Sequence, residues 1–145
     1  MRLRQVESLP REAFAAALAV ESSPASVAPG ARFRVELRVE NRSPVAWPRM
    51  GFLSRGRVLS ASYHWKTPDG TTAVHDGLRT PLRTALASGA ATRVGLDVAA
   101  PERPGGYVLE VDLVQEGVAW FSDHGSPVAR VPMTVGDQSL TPSRS

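Results

Sequence analysis

The chain has no cysteine and no isoleucine, one lysine (Lys66) and one asparagine (Asn41). Without cysteine there are neither disulfides nor thiolate metal sites, although that absence names no compartment. Long apolar runs are missing as well, and nothing approaches the ~20 residues that a membrane helix needs. The apolar stretch Phe14–Val20 is short, rich in alanine and preceded by Glu7 and Glu12, which a secretory signal avoids. With Met1 as the natural start, the expectation is a cytoplasmic protein without a membrane span. Sixteen of the 17 basic residues are arginine, and they alternate with 14 acidic residues instead of clustering. That pattern matches the coding bias of a GC-rich genome. The net charge of +3 and the pI near 10.2 are therefore discounted as a nucleic-acid footprint.

What is present describes a small β protein. At 145 residues and 15.5 kDa there is room for one domain with one substantial core. Residues Ala31–Glu40 alternate strictly, with Phe33, Val35, Leu37 and Val39 on one face and Arg32, Arg34, Glu36, Arg38 and Glu40 on the other. A period of two marks a strand with one buried and one wet face. Val58–Lys66 repeats the pattern, placing Leu59, Ala61, Tyr63 and Trp65 inward and Ser60, Ser62, His64 and Lys66 outward. Thr92–Ala99, Tyr107–Gln115 and Val128–Val135 read as further strands, the last at a sheet edge because it contains Pro132. Pro10–Phe14 opens like a helix, but Leu18, Val20 and the turn signals from Pro24 onward favour a first strand near 14–21. The fold class is an all-β, immunoglobulin-like antiparallel sandwich of about seven to nine strands. It spans 14–135, with a lead-in at 1–13 and a flexible tail at 136–145. Its expected core is Phe33, Val35, Leu37, Leu59, Tyr63, Trp65, Val94, Leu96, Leu109, Val111 and Leu113.

Several landmarks carry a resemblance. Val27-Ala-Pro-Gly30, the alternating strand, Asn41 and Trp47-Pro48 form an opening. Ala100-Pro101, Pro104-Gly-Gly-Tyr107, Glu116-Gly117 and Trp120-Phe121 follow. Together they are similar to immunoglobulin-like modules attached to bacterial glycosyltransferases and methyltransferases of surface-polysaccharide clusters. They resemble more distantly the four-tryptophan domain of autophagy receptors. The resemblance implies a sandwich fold and a role beside glycosylation enzymes; it implies no catalytic residues and no cofactor.

Candidate chemistry centres on turns. Thr67-Pro68-Asp69-Gly70 is a turn returning the chain as Thr71–Asp76. A three-residue loop sets Tyr63 opposite His75 and His64 opposite Val74, whereas a two-residue loop sets His64 opposite His75. Two histidines without a third ligand make a poor zinc site, so no metal is expected. Asp123-His124 with its flanking serines lacks a nucleophile elbow and reads as a hydrophilic turn. Glu110 and Asp112 alternate with Leu109, Val111 and Leu113, which describes a solvated face better than paired catalytic acids. No enzyme activity is expected. The candidate ligand-binding group is Arg79, Glu116, Trp120 and Phe121. Adjacent aromatics on a strand point to opposite faces, so one ring is core and the other is free to meet a ligand. A structural ion pair between Arg79 and Glu116 is the competing reading. The expected function is a non-catalytic accessory module that binds a glycan or a glycosyltransferase partner. The alternative is protein interaction or homo-oligomerisation through an exposed sheet edge.

Overall fold

The computed structural model describes residues 9–47 and 59–136. Pro48, Val58, most of the lead-in and the tail beyond Gly136 lie outside the described residues. Ten strands appear among those described: β1 (Ala16–Ser22), β2 (Ser26–Val27), β3 (Arg32–Asn41), β4 (Leu59–Lys66), β5 (Thr72–Val74), β6 (Thr80–Pro81), β7 (Ala91–Ala99), β8 (Gly105–Gln115), β9 (Ala119–Trp120) and β10 (Ala129–Val135). A three-stranded sheet runs β1-β3-β7, and a larger one runs β2-β10-β8-β4-β5, with β6 on β4 and β9 on β8. All pairings are antiparallel except that of β2 with β10. The chain is an all-β immunoglobulin-like sandwich. No helix among the described residues is long and apolar enough to cross a membrane.

Alternation explains the small sheet. Phe33, Val35 and Leu37 stand directly across from Val98, Leu96 and Val94 of β7. Val35, Leu37 and Val39 are fully buried, whereas Phe33 and Val94 are partly buried at the margin of the core. Each fully buried aliphatic side chain contributes about 1.5–3 kcal/mol. The outer faces carry the charges, including one like-charge pair, Arg38 opposite Arg93. Carboxylates relieve it: Arg93 bonds Glu21 at 2.8 Å and Arg38 bonds Glu40 at 3.3 Å.

The two sheets are joined through polar atoms of their aromatics. Tyr63 and Trp65, inward on β4, both reach Ala99 of β7: the Ala99 N–H donates to the Tyr63 hydroxyl, and the Trp65 indole donates to the Ala99 carbonyl, each at 2.9 Å. At one end Phe14, Trp47 and Phe121 pack edge to face, at 5.0 Å for Phe14–Phe121 and 5.5 Å for Trp47–Phe121. The Trp47 indole donates to Ala13 at 2.9 Å, tying down the segment that precedes β1. That segment is one 3-10 turn, Arg11–Ala13, and β1 begins at Ala16. Asn41 ends β3 with every polar position used. Its amide donates to the Val45 and Leu86 carbonyls, and its oxygen accepts from the Ser43 N–H and hydroxyl. No other side chain offers two donors and two acceptors on so short a stem.

Pro132 is not in an outermost strand, since β10 lies between β2 and β8. However, β2 is only two residues long and pairs with Thr134 and Val135, so Pro132 has a strand partner, Val108, on one side only.

Candidate functional site

The outer face of the larger sheet is covered, against the periodic reading. Ser60, Ser62 and His64 are buried, as are Asp112 and Val114 of β8. Glu110 keeps only 13% of its side chain exposed. The cover is made of side chains: His75 stacks on His64, Arg79 reaches Ser62, and Trp120 of β9 packs on both histidines. Gly77 lets the chain between β5 and β6 run close along the free edge of β4. A Cβ there would stand 2.4 Å from the Tyr63 ring and 2.6 Å from the Tyr63 carbonyl oxygen, which accepts the Gly77 N–H. A strict alternation reports that a strand has two different faces; it does not report that side chains from other elements close over the second.

The hairpin brings the two histidines together by a route that neither simple loop provides. Thr67 pairs with Thr71, leaving the three-residue loop Pro68-Asp69-Gly70, with Gly70 at φ +92°. Bonds from the Thr67 hydroxyl and then the Thr71 N–H hold the Asp69 carboxyl down at about 2. Lys66 pairs with Thr72, but Trp65 pairs with Val74, so Ala73 is an extra residue in β5. This bulge shifts the register by one. His64 consequently lies beside His75, rings stacked at 4.7 Å, and not opposite Val74.

Beneath this stack is a buried charge. Asp112 accepts the Leu113 N–H on Oδ1, whereas its Oδ2 is buried without a hydrogen bond and lies 3.7 Å from His64 Nε2. His64 Nδ1 faces the His75 carbonyl oxygen at 2.5 Å, a contact that requires a proton on Nδ1. With Nδ1 protonated, a neutral ring would turn the Nε2 lone pair toward a carboxylate, so the arrangement favours imidazolium. Burial pushes the His64 pKa down, but the adjacent Asp112 carboxylate, the His75 carbonyl and the charge of Glu110 outweigh it and raise it above 6.5.

Above the histidines lie three of the four candidate residues. Arg79 donates from Nε to Glu116 at 2.7 Å, from Nη1 to Gly77 at 2.8 Å and Ser62 at 3.3 Å, and from Nη2 to Asp76 at 3.2 Å. Its Cζ sits 4.9 Å from the Trp120 ring centroid. Trp120 in turn packs on His64 at 4.3 Å and His75 at 5.5 Å. Phe121 is elsewhere: it opens the 3-10 turn Phe121–His124 and is buried against Phe14 and Trp47. Trp120 and Phe121 thus divide between the two faces, with Trp120 half-buried on the outer one.

Ser62, His64 and Asp112 have the composition of a hydrolytic triad without its geometry. The Ser62 hydroxyl donates to Leu78 at 2.8 Å, and both His64 nitrogens are directed at other partners. Among the described residues, no three His, Asp or Glu side chains converge as metal ligands do. His124 stacks flat on Phe14 at 4.4 Å. The residues that the sequence did not single out as site members are His64, Asp112 and Ser62. One signal was available. The outer positions of β3 are arginine and glutamate, whereas those of β4 are Ser60, Ser62 and His64 until Lys66.

No protein-family model matches the chain, and a search of curated proteins finds no match. Solved structures do resemble it. The sporulation control protein Spo0M of Bacillus subtilis superimposes with a TM-score of 0.51 at 11% identity, covering 85% of this chain and 49% of that one. The CARDB domain of the PF1109 protein from Pyrococcus furiosus gives 0.44 at 12% identity, covering 83% and 85%. The alkylpurine DNA glycosylase AlkC of Pseudomonas fluorescens gives 0.47 at 14% identity, and this chain spans 30% of its length. At such identities the likeness concerns the fold alone.

Proposed function

We propose that the domain is a non-catalytic recognition module that binds a glycan, by itself or on behalf of a glycosylation enzyme. The ligand would meet the wall formed by Trp120, Arg79 and Glu116. One observation carries this reading: a half-buried indole is fixed among charged groups, with a guanidinium against its ring. A sugar presents apolar C–H faces and a rim of hydroxyls, which suits an aromatic surface edged by donors and acceptors. Arg79 is held by four acceptors in advance, so little ordering entropy remains to oppose binding. Asp76, 69% exposed, adds an acceptor at the rim. Binding of the full chain to a panel of bacterial oligosaccharides tests the proposal. A defined subset should bind, and Trp120→Ala should lose that binding while still unfolding cooperatively. No bound sugar, or binding indifferent to Trp120→Ala, would reject it.

A second reading, interaction through an open sheet edge, is favoured by a specific feature. Among the described residues, no strand pairs with the outward side of β7.

A further inference from the structure

Strand β7 uses its outward edge unevenly. Its even-numbered residues bond β3, as the neighbouring Ala90 and Ala100 contacts confirm, so the odd-numbered residues direct N–H and C=O away from the sheet. Ala99 spends both groups on Tyr63 and Trp65, and the Asp97 N–H bonds the Thr80 hydroxyl at 3.1 Å. Beyond Asp97 the chain following β6 parts from β7. It leaves a groove of about 340 Å³ between Thr80–Thr84 and Thr92–Gly95. Along it the outward backbone groups of Ala91, Arg93 and Gly95 have no partner among the described residues.

Three guanidinium groups surround this edge: Arg34, Arg83 and Arg93. Gly95 lets one of them lie flat, because a Cβ at that position would be 2.8 Å from Arg34 Cδ. Arg34 and Arg93 have exposed carboxylate partners, Asp97 and Glu21, and Arg83 has none among the described residues. Their side chains are 63% and 75% exposed, so both cations remain accessible.

Building on the sheet-edge reading, we propose that this edge receives an extended, acidic segment of another protein as an added strand. Alternating free donors and acceptors over Ala91–Gly95 match the repeat of an incoming strand. The flanking arginines select its charge. A second copy of this chain is a poorer occupant, since two-fold pairing would set Arg93 and Arg34 close to their own copies. A small free anion would engage the guanidinium groups and leave the backbone unused.

The test is fluorescence anisotropy of a labelled hexapeptide of alternating glutamate and valine, titrated with the full chain at low ionic strength. The same peptide with lysine for glutamate is the control. The acidic peptide should bind about tenfold more tightly or better. Gly95→Pro should abolish binding while keeping the β3–β7 ladder, to which the Gly95 N–H does not contribute. Arg83→Glu should weaken it severalfold. If Gly95→Pro fails to fold, amide exchange in the unaltered chain decides: the peptide should slow exchange at Ala91, Arg93 and Gly95. Equal binding of both peptides, unchanged exchange at those amides, or complete displacement by inorganic phosphate would overturn the proposal. Gly95 lies on the other sheet from Trp120, so failure here leaves the glycan reading standing, and a chain that binds no sugar leaves this one intact.

Discussion

Removing the His64 imidazole should cost this small domain much of its stability. The side chains of His64 and Asp112 are 6% and 1% exposed, and among the described residues nothing hydrogen-bonds Asp112 Oδ2, whose cationic partner is His64. His64→Ala therefore strands a buried carboxylate, a change that costs about 3–5 kcal/mol against a total of roughly 5–15 kcal/mol for an ordinary domain. The same pair makes stability depend on pH. The groups around it are Asp112 and Glu110 on β8, His75 after β5, and Lys66 on β4, with Arg79, Asp76 and Glu116 beyond Trp120. Because the folded pKa of His64 lies above its ordinary 6.5, the stabilisation is complete below 6.5 and is lost as pH rises through the folded value. One proton is involved, so the slope is at most about 1.4 kcal/mol per pH unit. Urea denaturation at several pH values from about 6 to 9, followed by tryptophan fluorescence, measures it. Asp112→Asn should flatten the curve, because an amide can accept from Leu113 and donate to neutral Nε2. Stability that holds or rises over this range, or an equal fall in Asp112→Asn, would refute the buried imidazolium.

Two further changes test the supports around the site. Arg79→Lys keeps the charge but loses the fork that joins Glu116, Ser62, Gly77 and Asp76; it should lower stability by about 1–2 kcal/mol in the same assay. An unchanged midpoint would show that the fork is idle. Asn41→Ala removes four hydrogen bonds at a buried turn and should cost about 2–4 kcal/mol, and a loss under about 0.5 kcal/mol would mean that water replaces them.

The small sheet was legible because its pattern is unambiguous: Val35, Leu37 and Val39 against Arg34, Glu36 and Arg38 leave one register with an apolar inside. Tyr63 and Trp65 were legible as core for the same reason. The meeting of Arg79 with Glu116 was legible as the ion pair that competes with ligand binding. The burial of His64 and Asp112 did not follow, since it depends on side chains that other elements bring over them, His75, Arg79 and Trp120. The bulge at Ala73 was hidden as well. Thr71–Asp76 lacks an alternating pattern, so one extra residue leaves no trace in composition while it exchanges the partner of His64. Strands β2, β6 and β9 are two residues long, too short for any period to show. That Phe121 and not Trp120 enters the core was set by Phe14 and Trp47, whose meeting no local pattern foretells.

The claim that the Trp120 wall is the recognition surface is tested most directly at the indole N–H groups. The chain has three tryptophans. Trp47 and Trp65 donate inside the core to Ala13 and Ala99, whereas the Trp120 N–H has no partner among the described residues. Nitrogen–proton correlation spectra should therefore show two indole signals protected from solvent exchange and one that exchanges. On titration with the oligosaccharide that binds best in the panel, the exchanging signal should shift and the protected two should stay. A sugar that binds while the Trp120 signal remains in place would contradict the account.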